Sequence, residues 1–452
     1  MAPLTFGAAL TLAVAVMAGL HVPLLAALAI AGLLGGFLFQ ALLIPGGTPA
    51  AAFWGMAEMA QGVIATLGHQ PALLAIPVFV TLGNLALVGG LATRLYDAAA
   101  FGLRGVPGGL AIAALLGSGG FAAISGSSVA CATTMGRICV PEMLARGYDP
   151  RLAGASVAAG GTLGALIPPS ILLILIAVLS DTPVPALFLA GLVPGLLSLL
   201  VMVIVVVAWL KHDAKAAPAA SPAPPDGPTG AARDALGAVK AVWPLALIFA
   251  ALMAAAAVGM VALLAVGIAA AGLTAVLGRA QGRLSAEVLG RALAEAAVQT
   301  AALLGLAVAA LLFHRVLALT ALPVQLALWL QLWDWSGAAV LGALVILCLG
   351  LGMLLDPAAI LVVVLPFAMP LIAGYGLDPL WFAVLLVKLL EIALITPPIG
   401  LNVFIIASLS RDLGILTVFQ GVTRFLAADM VVIAALILFP RLATLLPGLF
   451  WH

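Results

Sequence analysis

Charge is the scarcest property of this 452-residue chain: Asp, Glu, Lys and Arg together make up 7% of it, against about 25% in a soluble domain. That shortage excludes an ordinary water-soluble fold. The charges present nearly balance, 17 Lys and Arg against 16 Asp and Glu, which argues against nucleic acid as a partner. There are three cysteines, Cys131, Cys139 and Cys348, all in apolar stretches without metal-ligand spacing, which suits small apolar packing. Five histidines show no metal-binding pattern, and there is no P-loop or nucleophile–base pair, so the chain is not expected to be an enzyme or to hydrolyse ATP itself. The first twenty residues lack a basic start and run straight into a second apolar stretch, which reads as a mature span rather than a cleaved signal. What is present is apolar: 65% hydrophobic residues and a mean hydropathy of +1.33. The segments are long enough for helices rather than barrel strands, giving an all-α polytopic membrane protein.

Hydropathy places spans at 4–20 and 22–40 with a tight turn at His21, an interfacial segment at 41–70, and a third span at 71–91, together an N-terminal scaffold unit of 1–91. An amphipathic stretch with Arg94, Asp97 and Arg104 opens a first repeat, 92–210, which ends in a span at 186–210. Residues 211–243 read as an exposed Pro/Ala-rich linker. Two alanine-rich spans, an amphipathic arm and a span at 297–320 make up 244–320. A Trp-rich arm then opens a second repeat, 321–439, and 440–452 is a C-terminal tail.

Within each repeat a hairpin precedes a broken helix. The first hairpin is split by Ser125-Gly126-Ser127-Ser128, and its second half stops at Pro141 after twelve residues from Val129. Twelve residues reach about 18 Å against a hydrocarbon core of about 30 Å, so the hairpin reads as re-entrant; two ordinary spans with a polar turn are the alternative. The second hairpin, 337–374, is split at Leu355-Asp356-Pro357. Glycines and a Pro-Pro pair then interrupt long apolar runs at Gly160–Ser170 and at Ala393–Asn402. Prolines remove backbone donors, and in lipid such a break is tolerated only under protein or beside a water-filled cavity.

The two Pro-Pro pairs are 229 residues apart, at 168 and 397. The same offset joins Pro141 to Pro370, Gly147 to Gly376, and Asp149-Pro150 to Asp378-Pro379, and sets Ser127 opposite Asp356. Such a register is an internal repeat. The positive-inside rule puts Arg94, Arg104, Arg137, Arg146 and Arg151, the linker, and Arg279–Arg291 on the cytoplasmic side, with both termini periplasmic. Five crossings separate the repeats, an odd number, so the second should be inverted, which is a secondary-transporter pattern.

Breaks expose carbonyls for a hard cation, and the helix starting after each break suits a carboxylate. Hydroxyls at Ser125, Ser127, Ser128, Thr162 and Thr396, with Asp356, could complete two cation sites. Asp356 could equally cap the helix beginning at Pro357. Lys388 and Glu391 could neutralise each other, Arg424 and Asp429 could pair or reach an interface, and His314 reads as structural.

Leu74–Phe79 with Gly83-Asn84, Phe121–Ala130, Met135-Gly136-Arg137, Gly147–Arg151, Gly160–Ser170, Leu351–Pro357 and Lys388–Asn402 resemble the large membrane subunit of tripartite ATP-independent periplasmic (TRAP) transporters. The resemblance covers nearly the whole chain. It implies an ion-transporter-superfamily-like elevator, in which a domain of hairpins and broken helices slides past a scaffold. It further implies sodium symport of a small organic acid in the bacterial inner membrane, with a periplasmic substrate-binding protein and a small four-helix membrane subunit as partners. Carried over, one sodium site uses Ser125, Ser127 and Ser128 with carbonyls of Gly164, Ile167 and Pro169. The other uses Gly352, Asp356 and Thr396, and the substrate lies near Ser128, Pro168, Ser170 and Asn402. The chain departs from the family at 254–262, where a Phe-Thr-Pro-Thr-Glu-Ala-like run is usual, and at 421–425, where a proline usually takes the place of Arg424. A gated anion channel or uniporter on the same scaffold is the competing expectation.

Overall fold

The computed structural model describes residues 2–20, 22–44, 47–218, 227–410 and 413–451, with the side chains of 2 and 227–241 excepted. The expected turn at His21 and the centre of the expected linker, 219–226, lie outside the described residues. Among the described residues every regular element is a helix.

The N-terminal unit holds α1 (Ala2–Gly19), α2 (Leu24–Leu43), α3 (Pro49–Gly68) and α4 (Ala72–Val88). The segment read as interfacial is largely α3, started by Thr48, whose hydroxyl accepts from the Ala51 N–H. Then come α5 (Leu91–Gly102), the hairpin α6 (Gly109–Ser125) and α7 (Ser128–Ala145), and a broken helix in three pieces, α8 (Pro150–Gly161), α9 (Leu163–Leu166) and α10 (Ile171–Ser180). The middle of the chain is α11 (Val184–His212), a 3-10 turn at Ala214–Ala216, α12 (Gly227–Val258), α13 (Met260–Ala280) and α14 (Ala286–Leu319). The second half repeats the order: α15 (Leu322–Leu332), the hairpin α16 (Gly337–Gly352) and α17 (Pro357–Gly374), a broken helix α18 (Pro379–Ala393) and α19 (Leu401–Ser408), and α20 (Ile415–Leu438). Short α21 (Arg441–Thr444) and α22 (Pro447–Phe450) close the chain. Seven segments are long and apolar enough to cross a membrane, and an eighth if α3 and α4, bent by 63°, form one span.

Three expectations are corrected by the helix bounds. Pro141 does not end the first hairpin: α7 carries it in its interior and continues to Ala145. A proline removes one backbone bond, and packing against α5, α6 and α8 holds the turn on either side. At 18 residues α7 is about 27 Å long, so shortness alone no longer argues that the hairpin is re-entrant. Helix α12 begins at Gly227, inside the stretch read as linker. The amphipathic arm and the span after it are one 34-residue helix, α14, about 51 Å long, whose Ser285-capped start therefore projects beyond a hydrocarbon core.

Positions 229 residues apart take the same local structure. Asp149 and Asp378 each cap a helix through backbone N–H groups, with Pro150 and Pro379 in its first turn. Gly147 and Gly376 are both left-handed, at φ 79° and 67°. Pro141 and Pro370 both lie inside helices, Ser127 and Asp356 are both N-caps, and both Pro-Pro bonds are cis. The broken helices form the centre. The window across α8–α10 is 83% buried, whereas the other six spans range from 28% to 56%. Every residue of α18 from Trp381 to Ala393 is buried. Interrupted helices thus sit where protein surrounds their backbone, as an apolar solvent requires.

Candidate functional site: two hairpin tips on two broken helices

At the first break, Pro168 and Pro169 lack the N–H groups that would bond the carbonyls of Gly164 and Ala165 one turn earlier. No other donor among the described residues replaces them. The whole run from Gly161 to Ser170 is buried, so these oxygens face protein, not solvent. The tip of the first hairpin lies directly on them. A Cβ on Gly164 would stand 2.7 Å from backbone atoms of Ser127 and Ser128, a distance that only glycine permits. Gly126, at φ 63°, turns the chain between α6 and α7, and its carbonyl accepts from the Ile171 N–H at 3.1 Å.

Ser125 is buried and its hydroxyl has no hydrogen-bond partner among the described residues. Ser127 caps α7, accepting from the Ala130 N–H. The Ser128 hydroxyl donates to Glu391 Oε2 at 2.6 Å, a buried bond between the first tip and the second broken helix. Ile167 and Pro169 are buried beside them, and neither carbonyl accepts a backbone hydrogen bond among the described residues. The six positions assigned to one cation site therefore come together, and Ser125, Gly164, Ile167 and Pro169 present oxygens with unused lone pairs.

The second tip is built differently. Gly352 packs against Ala393. Asp356 is exposed and accepts from the Ala358 and Ala359 N–H groups at 2.9 and 3.0 Å, both through Oδ1. It is an N-cap, and Oδ2 makes neither bond. The Thr396 hydroxyl donates back to the Ile392 carbonyl at 2.7 Å. Here the carbonyls that lose donors to Pro397 and Pro398 find new ones: Thr396 N–H bonds Ala393 O and Asn402 N–H bonds Leu394 O. Pro397, Pro398 and Ile399 are exposed. Gly352, Asp356, Ala393 and Leu394 line a cavity of about 320 Å³ together with Val22 and Leu24. Thr396 is not part of that lining.

Of the positions assigned to substrate, Pro168 is buried, Ser170 caps α10 through the Leu173 N–H, and Asn402 reaches across to donate to the Ala158 carbonyl at 3.2 Å. The Asn402 carbonyl oxygen is buried without a partner among the described residues. Residues from both halves thus meet around α8 and α9.

Two buried pairs correct the reading of the intramembrane charges. Lys388 makes its ion pair not with Glu391 but with Asp429 on α20 at 2.5 Å, both side chains 1% exposed. Glu391 faces the first hairpin tip instead, with Oε1 unpartnered. Arg424 does not pair with Asp429 but stacks on Trp209, 3.8 Å from the ring centroid. His314 contacts the Val362 carbonyl at 3.1 Å. Partners 41 and 263 residues away leave no periodic signal in sequence, although a lone acid amid apolar residues was itself a signal at Glu391.

A family model described as "Tripartite ATP-independent periplasmic transporter, DctM component" matches residues 11–442. A C4-dicarboxylate TRAP transporter large permease of Pseudomonas aeruginosa is 31% identical over 343 residues, covering 75% of this chain and 77% of its own. A sialic acid TRAP transporter large permease of Vibrio cholerae is 29% identical, covering 84% and 86%. Among solved structures, the YdaH transporter of Alcanivorax borkumensis superposes with a TM-score of 0.57 at 16% identity, over 88% of this chain and 90% of that one; this likeness concerns the fold alone.

Proposed function

The chain belongs to the DctM-component family of tripartite ATP-independent periplasmic transporters, and we propose that it imports a small organic acid by sodium symport. It is a membrane transport subunit, not an enzyme. The observation that carries the ion-coupled reading is the buried oxygen cluster at the first break: the Ser125 hydroxyl, the Ser128 hydroxyl and the Gly164 carbonyl, with the Glu391 carboxyl behind Ser128. Sodium is a hard cation that takes oxygen ligands, and an acid one bond behind a hydroxyl makes that hydroxyl a better ligand. Asp356 Oδ2, the Thr396 region and Gly352 are the proposed second sodium site, beside the 320 Å³ cavity. The carboxylate substrate would lie between the tips, near Ser128, Pro168, Ser170 and Asn402.

The same elements support an inverted repeat. Four membrane-length segments, α8–α10, α11, α13 and α14, and the apolar part of α12, 242–258, separate the two hairpin units; counted as five crossings, they bring the second in from the opposite face. The buried first tip supports a re-entrant hairpin better than its length does. Sliding of the hairpins and broken helices against a scaffold built on α2, α4 and α14, which pack together, is the proposed elevator. The tripartite description brings two partners, a periplasmic substrate-binding protein and a small four-helix membrane subunit, in a bacterial inner membrane with both termini periplasmic.

Uptake into proteoliposomes with the binding protein and small subunit tests this. Accumulation against a gradient should require an inward sodium gradient. Uptake that only equilibrates, whatever the sodium gradient, would establish the channel or uniporter instead.

A further inference from the structure

Where α11 ends beside α20, the protein holds an arginine whose donors are unused. Arg424 is exposed, and its guanidinium stacks on the Trp209 ring. None of its N–H groups has an acceptor among the described residues. The neighbouring acids are already engaged: Arg151 bonds Asp149 at 2.6 Å and stands 3.8 Å from Asp213. Burial alone would raise the Asp149 carboxyl, but hydrogen bonds from Arg151 and the charges of Arg151 and Arg424 hold it below the usual carboxylate range. Trp209 is 3% exposed, and its indole N–H is buried without a partner among the described residues.

Between these groups is a cleft of about 300 Å³. Its lining mixes apolar Val205, Ala208 and Ala427 with Trp209, His212 and Arg424; Asp213, the acid facing Arg151, completes it. One turn further along the same faces lie half-buried Val201 on α11 and exposed Val431 on α20. Both helices are long and apolar enough to span a bilayer. The cleft is therefore amphipathic along the membrane normal, with Arg424 at its polar end and Arg151 beside it, 3.8 Å from the lining residue Asp213.

We propose that this cleft binds an anionic phospholipid, with the headgroup phosphate held by Arg424 and the Trp209 N–H and the acyl chains along the seam of α11 and α20. A guanidinium offers a planar fork of donors to phosphate oxygens, and basic pockets between spans on the cytoplasmic side suit anionic headgroups. A free phosphate would gain nothing from the apolar lining.

The test is lipid retention by the purified full chain, read by native mass spectrometry after extraction from bilayers of mixed phosphatidylglycerol and phosphatidylcholine. Phosphatidylglycerol should be retained preferentially. Arg424→Gln should lower its retention roughly tenfold, the effect of losing a charge-assisted hydrogen bond. Trp209→Phe, which keeps a ring under Arg424 but removes the N–H, should lower it about threefold. Arg424→Lys should fall between wild type and Arg424→Gln, and Arg291→Gln, at an exposed arginine paired with Glu287, should change nothing. Equal retention of both lipids by wild type overturns the proposal, as does wild-type retention in Arg424→Gln. Displacement of the lipid by inorganic phosphate alone would reassign the cleft to a soluble anion. If Arg424→Gln fails to fold, the lipid comparison on wild type and Trp209→Phe decides.

Discussion

The two Pro-Pro breaks carry the same punctuation, 229 residues apart, yet the protein treats them differently. The first is sealed: its loop is buried, its tip rests on it at a glycine, and the carbonyls of Gly164 and Ala165 find no donor among the described residues. The second is open: its prolines are exposed, and Thr396 and Asn402 return donors to the freed carbonyls. The glycine that allows close approach changes sides, being Gly164 on the first broken helix and Gly352 on the second tip, while Ala393 takes the place equivalent to Gly164. An oxygen-rich pocket can therefore be made from one half of a repeat and an accessible acid from the other. The lesson is that a repeated motif specifies where the backbone breaks, and the surrounding packing specifies what the break can bind.

The anchoring of the halves differs most, and there the largest effect is expected. The second broken helix is tied to α20 by Lys388–Asp429, whereas the equivalent of Lys388 in the first half is Ala159, and α8 meets α20 where Gly421 packs on the Arg151 carbonyl. Lys388→Met should destabilise the protein by about 3–5 kcal/mol, because Asp429 is left buried and unpaired. The double variant Lys388→Met with Asp429→Leu should recover most of that loss. Thermal unfolding in detergent checks both. A double variant as unstable as the single one would mean that the pair is not the anchor.

Gly164→Ala comes next. The added methyl would meet backbone atoms at 2.7 Å, so the tip must move, at about 1–3 kcal/mol for overpacking, and uptake should fall with stability. The equivalent change in the second half, Ala393→Gly, removes a methyl and should cost under about 1 kcal/mol by losing helix propensity. Equal effects of the two would erase the distinction between a sealed and an open break.

Much of this architecture was legible in the sequence because its signals are local. Asp-Pro helix starts, glycines with positive φ and Pro-Pro pairs mark the breaks residue by residue, and hydropathy marks the spans. What escaped was carried by tertiary contact. Pro141 stays inside α7 because neighbouring helices hold it, and α12 begins inside apparent linker composition. The partners of Lys388 and Glu391 come from elements far away in the chain. The serines of the first tip were readable as candidates and Glu391 as an intramembrane acid, but its place behind Ser128 was not.

That acid gives the third comparison. Glu391→Gln keeps the shape but replaces the carboxyl behind Ser128, and sodium affinity measured from the concentration dependence of uptake should weaken roughly tenfold, about 1.4 kcal/mol. Its equivalent in the first half is Thr162, whose hydroxyl only bonds the Ala159 carbonyl; Thr162→Ala should shift that affinity little. Unchanged sodium dependence in Glu391→Gln would leave the carboxyl as packing alone.

The smallest stability effect is expected at Asp356, and it separates two roles that coincide in one side chain. As an N-cap, Asp356 bonds Ala358 and Ala359 through Oδ1 alone, and asparagine caps about as well. Asp356→Asn should therefore leave stability within about 0.5 kcal/mol while removing the charge at Oδ2. Asp356→Ala should lose the cap as well, for about 1 kcal/mol. If the second tip is a sodium site, both variants weaken sodium activation to a similar extent although only one is destabilised. If Asp356 is a cap and nothing more, sodium activation follows stability, and Asp356→Asn behaves as wild type. The first tip offers the contrast: Ser127 also caps its helix but has no charge to lose, so Ser127→Asn should leave stability within about 0.5 kcal/mol.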